Sequence, residues 1–314
     1  MIDLAVELCG VRLRNPLVLA SGIWGSNAGM LVRAARDGAG AVTAKSCSLD
    51  ARIGHPNPTV LAWEGGLINA VGLSNPGAAA QAEMLMQAKR ELSEFGVALI
   101  ASVFGDTPEG FAAAVQHIVA AEPDLIELNV SCPNVESEFG RPFAFDPDAT
   151  AEATRGVRQI WGGPLLVKLS PNAPNLVDVA RAAVDTGADG LTAVNTLGPG
   201  MIIDVHAGCP VLSNRVGGVS GQALLPIAVR CVYELAAAVD VPIIGTGGVS
   251  RGSDAMQMIM AGATAVGLGS ALYREGSTVF GRIADELVAL MEMEGYADLS
   301  FRGCAHRMPC RESR

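Results

Sequence analysis

The sequence predicts an α/β protein of the (β/α)8, or TIM-barrel, class, with inserted loops at the C-terminal face. Three observations carry that reading. Short apolar, β-branched runs alternate with helical patterns along the whole chain. The runs are nearly continuous in apolar character, which marks parallel strands covered on both faces. One helix-to-strand unit also recurs: "DGAGAVTAKS", "TGADGLTAVN" and "AGATAVGLGS" each end a helix on Gly-Ala and enter a buried strand within a few residues. An open doubly wound sheet is the alternative.

In chain order the expected strands are "PLVLASG" (16–22), "AVTAKSC" (41–47), "ALIASVFG" (98–105) and "LIELNVSC" (125–132). They continue with "LLVKLSPN" (165–172), "GLTAVNTLG" (190–198), "VPIIGTGG" (241–248) and "AVGLGSAL" (265–272). Helical patterns cover 76–95, 108–121, 147–161, 174–186, 222–238 and 252–261. Asp106-Thr107-Pro108 and Ser253-Asp254 are good helix starts. Connections 48–75 and 197–221 are too long for plain turns and read as lids or site walls. No linker divides the chain, so residues 1–314 are expected to form a single barrel domain with a peripheral tail from about 296.

Composition bounds the function. Of 314 residues, 50% are hydrophobic and 17% charged, enough for a large core and too apolar for disorder. A net charge of −10 argues against a nucleic-acid surface. The seven cysteines include no CxxC pair, which speaks against a disulfide framework or an iron–sulfur cluster in this chain and fits a reducing cytoplasm. The N-terminus has no signal-peptide pattern, and no apolar run reaches membrane-span length. A soluble, cytoplasmic protein is expected.

A barrel brings its strand ends together, and active sites form there. The ends carry Ser21, Lys45, Ser46, Ser102, Asn129, Cys132, Lys168, Asn195, Thr196, Gly247, Gly248, Gly269 and Ser270. "GTGG" and "GLGS" end the seventh and eighth strands, the usual barrel phosphate site, where glycine backbone and a helix N-terminus favour an anion. Lys45 and Lys168 read as snorkelling lysines, as a Schiff-base lysine of a barrel aldolase, or as cations facing an anionic ring or carboxylate. The polar company favours the last. Cys132 ends a strand in "ELNVSCPN", flanked by Asn129 and Asn134, which favours a catalytic thiol over an inert buried one. Cys47 reads as a packing residue and His117 as a surface residue. Cys304, His306 and Cys310 in the tail are weak candidates for a metal site, and no metal is expected.

"TAKS", "INAVGLSNPG", "LNVSCPN", "VKLSPN", "VNT", "VGGVSG", "IIGTGGV" and "VGLGSAL" resemble, in order, the motifs of class 1 dihydroorotate dehydrogenases. The resemblance spans the chain to about Tyr273. It implies FMN-dependent oxidation of (S)-dihydroorotate to orotate in de novo pyrimidine (UMP) biosynthesis, with Cys132 as base. FMN would be held by Ser21, Lys45, Ser46, Ser102, Asn129, Lys168, Val194, Gly221, Gly247, Gly248, Gly269 and Ser270. Substrate would meet Lys45, Asn69, Ala70, Val71, Gly72, Leu73, Asn129, Asn134, Asn195 and Thr196. Ser102 departs from the family's usual asparagine. With its shorter arm it would reach the flavin through a bridging water or not at all.

The connection 197–221 looks most like subclass 1B. Such enzymes pass electrons to NAD through a partner subunit carrying FAD and a 2Fe-2S cluster, with the catalytic chain as a homodimer or within a heterotetramer. A fumarate-linked subclass 1A enzyme, a dihydropyrimidine dehydrogenase-like enzyme and an aldolase using Lys168 are the alternatives. A catalytically idle binding subunit is another.

Overall fold

Each of the eight apolar runs becomes a strand of one closed barrel. The computed structural model describes residues 2–131 and 143–307. Within them Leu17–Leu19, Ala41–Thr43, Ala98–Val103, Leu125–Asn129, Leu165–Leu169, Gly190–Ala193, Ile243–Thr246 and Ala265–Leu268 pair in chain order, and the eighth closes on the first. All neighbouring pairs are parallel. The strands stop short of the apolar runs. The last ends at Leu268, because Gly269 (φ −129°, ψ −84°) leaves the extended region and Ser270–Glu275 is helical.

Strand alternation sorts the barrel interior into layers. Val18, Ala41, Ala98, Ile100, Leu125, Leu166, Ile244 and Ala265 form an apolar floor. Two residues further along their strands, Ser102, Glu127, Lys168, Thr192 and Thr246 point to the same interior and are buried. The floor is sealed by an N-terminal hairpin of Val6–Leu8 and Val11–Leu13, absent from the strands expected above. Its turn holds Cys9 and Gly10 at φ 51° and 80°, the left-handed pair that a tight hairpin requires.

Helices Ala78–Ser93, Pro108–Ile118, Pro147–Arg158, Leu176–Asp185, Leu225–Ala238 and Gly252–Ala261 lie where helical periodicity places them. Thr107 caps one by accepting from Gly110 N at 3.1 Å, and Asp146 caps another by accepting from Asp148 N and Ala149 N. Ala28–Arg36 and Val279–Glu294 are further helices beyond those named from sequence. After them Phe301 is buried, Gly303 N donates to Ile259 O, and His306 stacks on Tyr233 with ring centroids 3.9 Å apart. His306 Nε2 lies 2.9 Å from Ala261 O. Among the described residues no cluster of three metal-ligating side chains occurs; Cys310 lies outside them. No described helix is long and apolar enough to cross a membrane.

The two long connections are not plain loops. Val60–Trp63 and Gly66–Asn69 from the first join Gly217–Ser220 and Leu197–Gly200 from the second in a four-stranded antiparallel sheet. Ile203–Asp204 and Cys209–Pro210 add a small hairpin.

Candidate active site

Polar residues of the first to sixth strands and their ends meet as one hydrogen-bonded group. Ser46 Oγ lies 3.2 Å from Ser21 Oγ and 2.8 Å from Ser102 Oγ. Asn129 Nδ2 donates to Ser46 Oγ at 3.2 Å, and Ser131 Oγ donates to Asn129 Oδ1 at 2.7 Å. Asn195 Nδ2 donates to Ser131 Oγ at 2.7 Å. Lys168 pairs in register with Asn129 on one side and Thr192 on the other, and is buried. Ser102 is enclosed: it is 1% exposed, and its hydroxyl donates to Glu127 Oε1 at 3.0 Å.

Glu127 is not among the site residues expected from sequence. It is 2% exposed, and its other oxygen accepts from Thr192 Oγ1 at 2.9 Å. The signal is present: a carboxylate inside the apolar run "LIELN", two residues before Asn129 and so on the same strand face.

The seventh and eighth strand ends lie side by side, since Thr246 pairs with Gly267. Gly248 has φ +81°, and a Cβ there would come 2.5 Å from Gly221 O and 2.9 Å from Leu225 N. Only glycine fits that corner. The N–H groups of Gly248, Gly269 and Ser270 have no acceptor among the described residues. This is a donor-rich cradle of a kind that suits phosphate, so the residues present fit a phosphate-bearing cofactor. The helix after the seventh strand, Gly252–Ala261, adds no free N-terminus to this cradle. Ser250 N and Arg251 N both donate to Asp254 Oδ2, and Gly252 N donates to Glu286 Oε2, so that helix start is already capped by carboxylates.

The inserted sheet places the segment Asn69–Leu73 beside this mouth. Asn69 pairs with Gly218, and a Cβ on Gly218 would collide with Thr196 Oγ1. His55 braces the segment: its N–H donates to Val71 O, and its Nδ1 lies 3.1 Å from Ala70 O. Arg52 pairs with Asp106 and lies 5.3 Å over the Phe104 ring, pinning the connection to the third strand end. Val194 N donates to Thr246 O, and Asn195 N to Leu169 O. Cys132 and Asn134 lie outside the described residues. Cys47 is fully buried and His117 exposed, as expected.

Burial lowers the pKa of the Lys45 ammonium below its ordinary value. A folded pKa below the unfolded one means that the charged lysine costs stability at neutral pH. That cost is fully present below the folded pKa and fades as pH rises through the unfolded one. Lys45→Met is therefore expected to raise the urea midpoint of the ligand-free protein at pH 7, with a smaller gain by about pH 11. A lower midpoint at pH 7 would contradict this account of Lys45.

Comparison with known proteins agrees with the geometry. The dihydroorotate dehydrogenase family model matches residues 3–291. A dihydroorotate dehydrogenase B (NAD(+)) catalytic subunit from Methanothermobacter thermautotrophicus is 44% identical over 96% of this chain and 98% of its own. The protein of the same description from Methanosarcina mazei is 43% identical, over 97% and 96%, and that from Pyrococcus abyssi 40%, over 94% and 96%. The chain, an eight-stranded barrel enzyme, belongs to the dihydroorotate dehydrogenase family.

Proposed function

We propose that the protein oxidises (S)-dihydroorotate to orotate with FMN and passes the electrons to NAD through a partner subunit that carries FAD and a 2Fe-2S cluster. The observation that carries this reading is the joined polar group Ser21, Ser46, Asn129, Ser131 and Asn195 next to the glycine cradle. It offers fixed hydrogen-bond partners for two flat polar rings and donors for one phosphate. The description of the relatives as catalytic subunits supports a partner. A homodimer as the core of that assembly, a single barrel domain and a cytoplasmic location complete the proposal.

FMN, when bound, supplies the two-electron oxidant. Gly221, Gly247, Gly248, Gly269 and Ser270 would hold its phosphate end, while Ser21, Lys45, Ser46, Asn129, Lys168 and Val194 would hold the ring end. Ser102, whose Oγ lies 2.8 Å from that of Ser46, would support the ring end through it. Asn69, Asn129, Asn134 and Asn195 would offer amides, which pair with both the donor and the acceptor edges of a pyrimidine. Thr196 and the backbone of Ala70, Val71, Gly72 and Leu73 would close the other side. Lys45 would set its cation against the substrate carboxylate. Cys132, as thiolate, would take the proton from C5 while hydride leaves C6.

Flavin released by heat from the purified protein should be FMN, at about one per chain for a single barrel-mouth site. Anaerobic dihydroorotate should bleach it before release. FAD in its place, or a flavin that dihydroorotate leaves oxidised, would refute the proposal.

A further inference from the structure

The hydrogen bonds of the mouth all run one way. Asn195 Nδ2 donates to Ser131 Oγ, Ser131 Oγ to Asn129 Oδ1, and Asn129 Nδ2 to Ser46 Oγ. Ser102 Oγ donates to Glu127 Oε1. A hydroxyl has one proton. Since Ser102 commits its proton to Glu127, the 2.8 Å contact between Ser46 and Ser102 requires Ser46 to be the donor. Ser46 then has no proton for Ser21 or Asn129 and must accept from both. That in turn forces Asn129 to turn its Nδ2 toward Ser46 and its Oδ1 toward Ser131. Ser131 donates to that oxygen and accepts from Asn195 Nδ2. Asn195 Oδ1 is left with no donor among the described residues.

Reversing one side-chain link strains the rest. If Asn129 turned over, its Nδ2 would face Ser131, whose proton would then go to Asn195 Oδ1. Asn195 would show the site donors where it now shows an acceptor. Two groups oppose this: the main chain of Ser131, whose N–H donates to Asn129 Oδ1 and whose C=O accepts from Asn195 Nδ2, both at 3.4 Å, and at the far end the buried Glu127 carboxylate, which accepts from Ser102. Thr192 Oγ1 holds the carboxylate's second oxygen at 2.9 Å.

We infer that Glu127 is a positioning residue that, with the main chain of Ser131, sets the hydrogen-bond polarity of the substrate site from beneath it, so that Asn195 offers an acceptor to a ring N–H of the substrate. The inference rests on the proposed function, because it takes Asn195 as a group facing the substrate ring. It adds a specificity device that works across five hydrogen bonds, through Ser102, Ser46, Asn129 and Ser131. It also gives Ser102 a role independent of any contact with flavin.

Glu127→Gln keeps the side-chain shape but adds a donor, which frees the Ser102 and Ser46 end of the chain to run either way and sets it against the Ser131 end. Ser102→Ala cuts the chain between the carboxylate and Ser46. Orotate binding to the FMN-loaded protein, read by the change in the flavin spectrum, measures the outcome apart from turnover. Each single variant should raise the orotate Kd by about 10-fold, as for one mispaired hydrogen bond. The double variant should be no weaker than either single one, because both act through one chain. If Glu127→Gln fails to fold, Ser102→Ala alone should still show the weaker binding.

Three results would overturn the inference: unchanged orotate affinity in Glu127→Gln, unchanged affinity in Ser102→Ala, or effects that multiply to about 100-fold in the double variant. If the FMN-loaded wild-type protein binds no orotate, the functional reading fails and takes the inference with it. That outcome is distinct, since it needs no variant.

Discussion

Cys132→Ala is expected to slow the anaerobic bleaching of bound flavin by dihydroorotate by ~10²–10⁴-fold, the usual cost of removing a general base. FMN and orotate should still bind, since the proposed contacts to both lie on other residues, among them Asn129, Asn195 and Lys45. Two other thiols are poor substitutes. Burial pushes the Cys47 thiol up to about 12, and burial together with Asp189 pushes Cys9 up to about 12, so neither is a thiolate at neutral pH. Cys132→Ser should recover some activity, and only toward higher pH, because a serine hydroxyl is a far weaker acid than a thiol. Bleaching of the alanine variant at the wild-type rate would remove Cys132 from the chemistry.

Leu8→Ala should destabilise the protein by about 2–5 kcal/mol without changing the reaction of the molecules that remain folded. Leu8 is 0% exposed and packs with Leu13, Val18, Leu125 and Leu166 in the barrel floor. Deleting its side chain opens a cavity between the hairpin and the strand bases, where the closed barrel cannot collapse to fill it. The floor lies at the opposite end from the polar mouth, so the rate of flavin bleaching per folded molecule should be unchanged. Urea unfolding gives the first quantity and anaerobic mixing the second. A shift under 1 kcal/mol would mean that the hairpin is not a structural plug.

The barrel is legible because its strands are buried on both faces and read as unbroken apolar runs such as "ALIASV" and "LLVKL". Their ends, and so the gathering of Ser46, Asn129, Lys168 and Asn195, follow from the fold class. The hairpin Val6–Leu13 escapes notice although "VELCGVRL" alternates correctly, because three-residue strands carry too few positions for a pattern to stand out. The inserted sheet is hidden for a related reason. "LGPG" has no apolar periodicity, and it pairs as a strand only because Gly217–Ser220 lies alongside it. Glu127 is missed by a search for strand-end groups because it lies inside its apolar run, and its importance comes from partners on two other strands, Ser102 and Thr192.

The sheet over the mouth joins Asn69 to Gly218, residues 149 apart in the chain, through a main-chain ladder. Neither connection can peel away alone without leaving the other's backbone groups unpaired, so the two open and close as one cooperative unit. The first carries Asn69–Leu73, proposed to meet substrate, and the second runs on to Gly221 beside the Gly248 corner. Solvent entering the proposed substrate side and the proposed cofactor side would therefore need one and the same opening of that ladder. A change in the length of either connection alone would shift the ladder register on both.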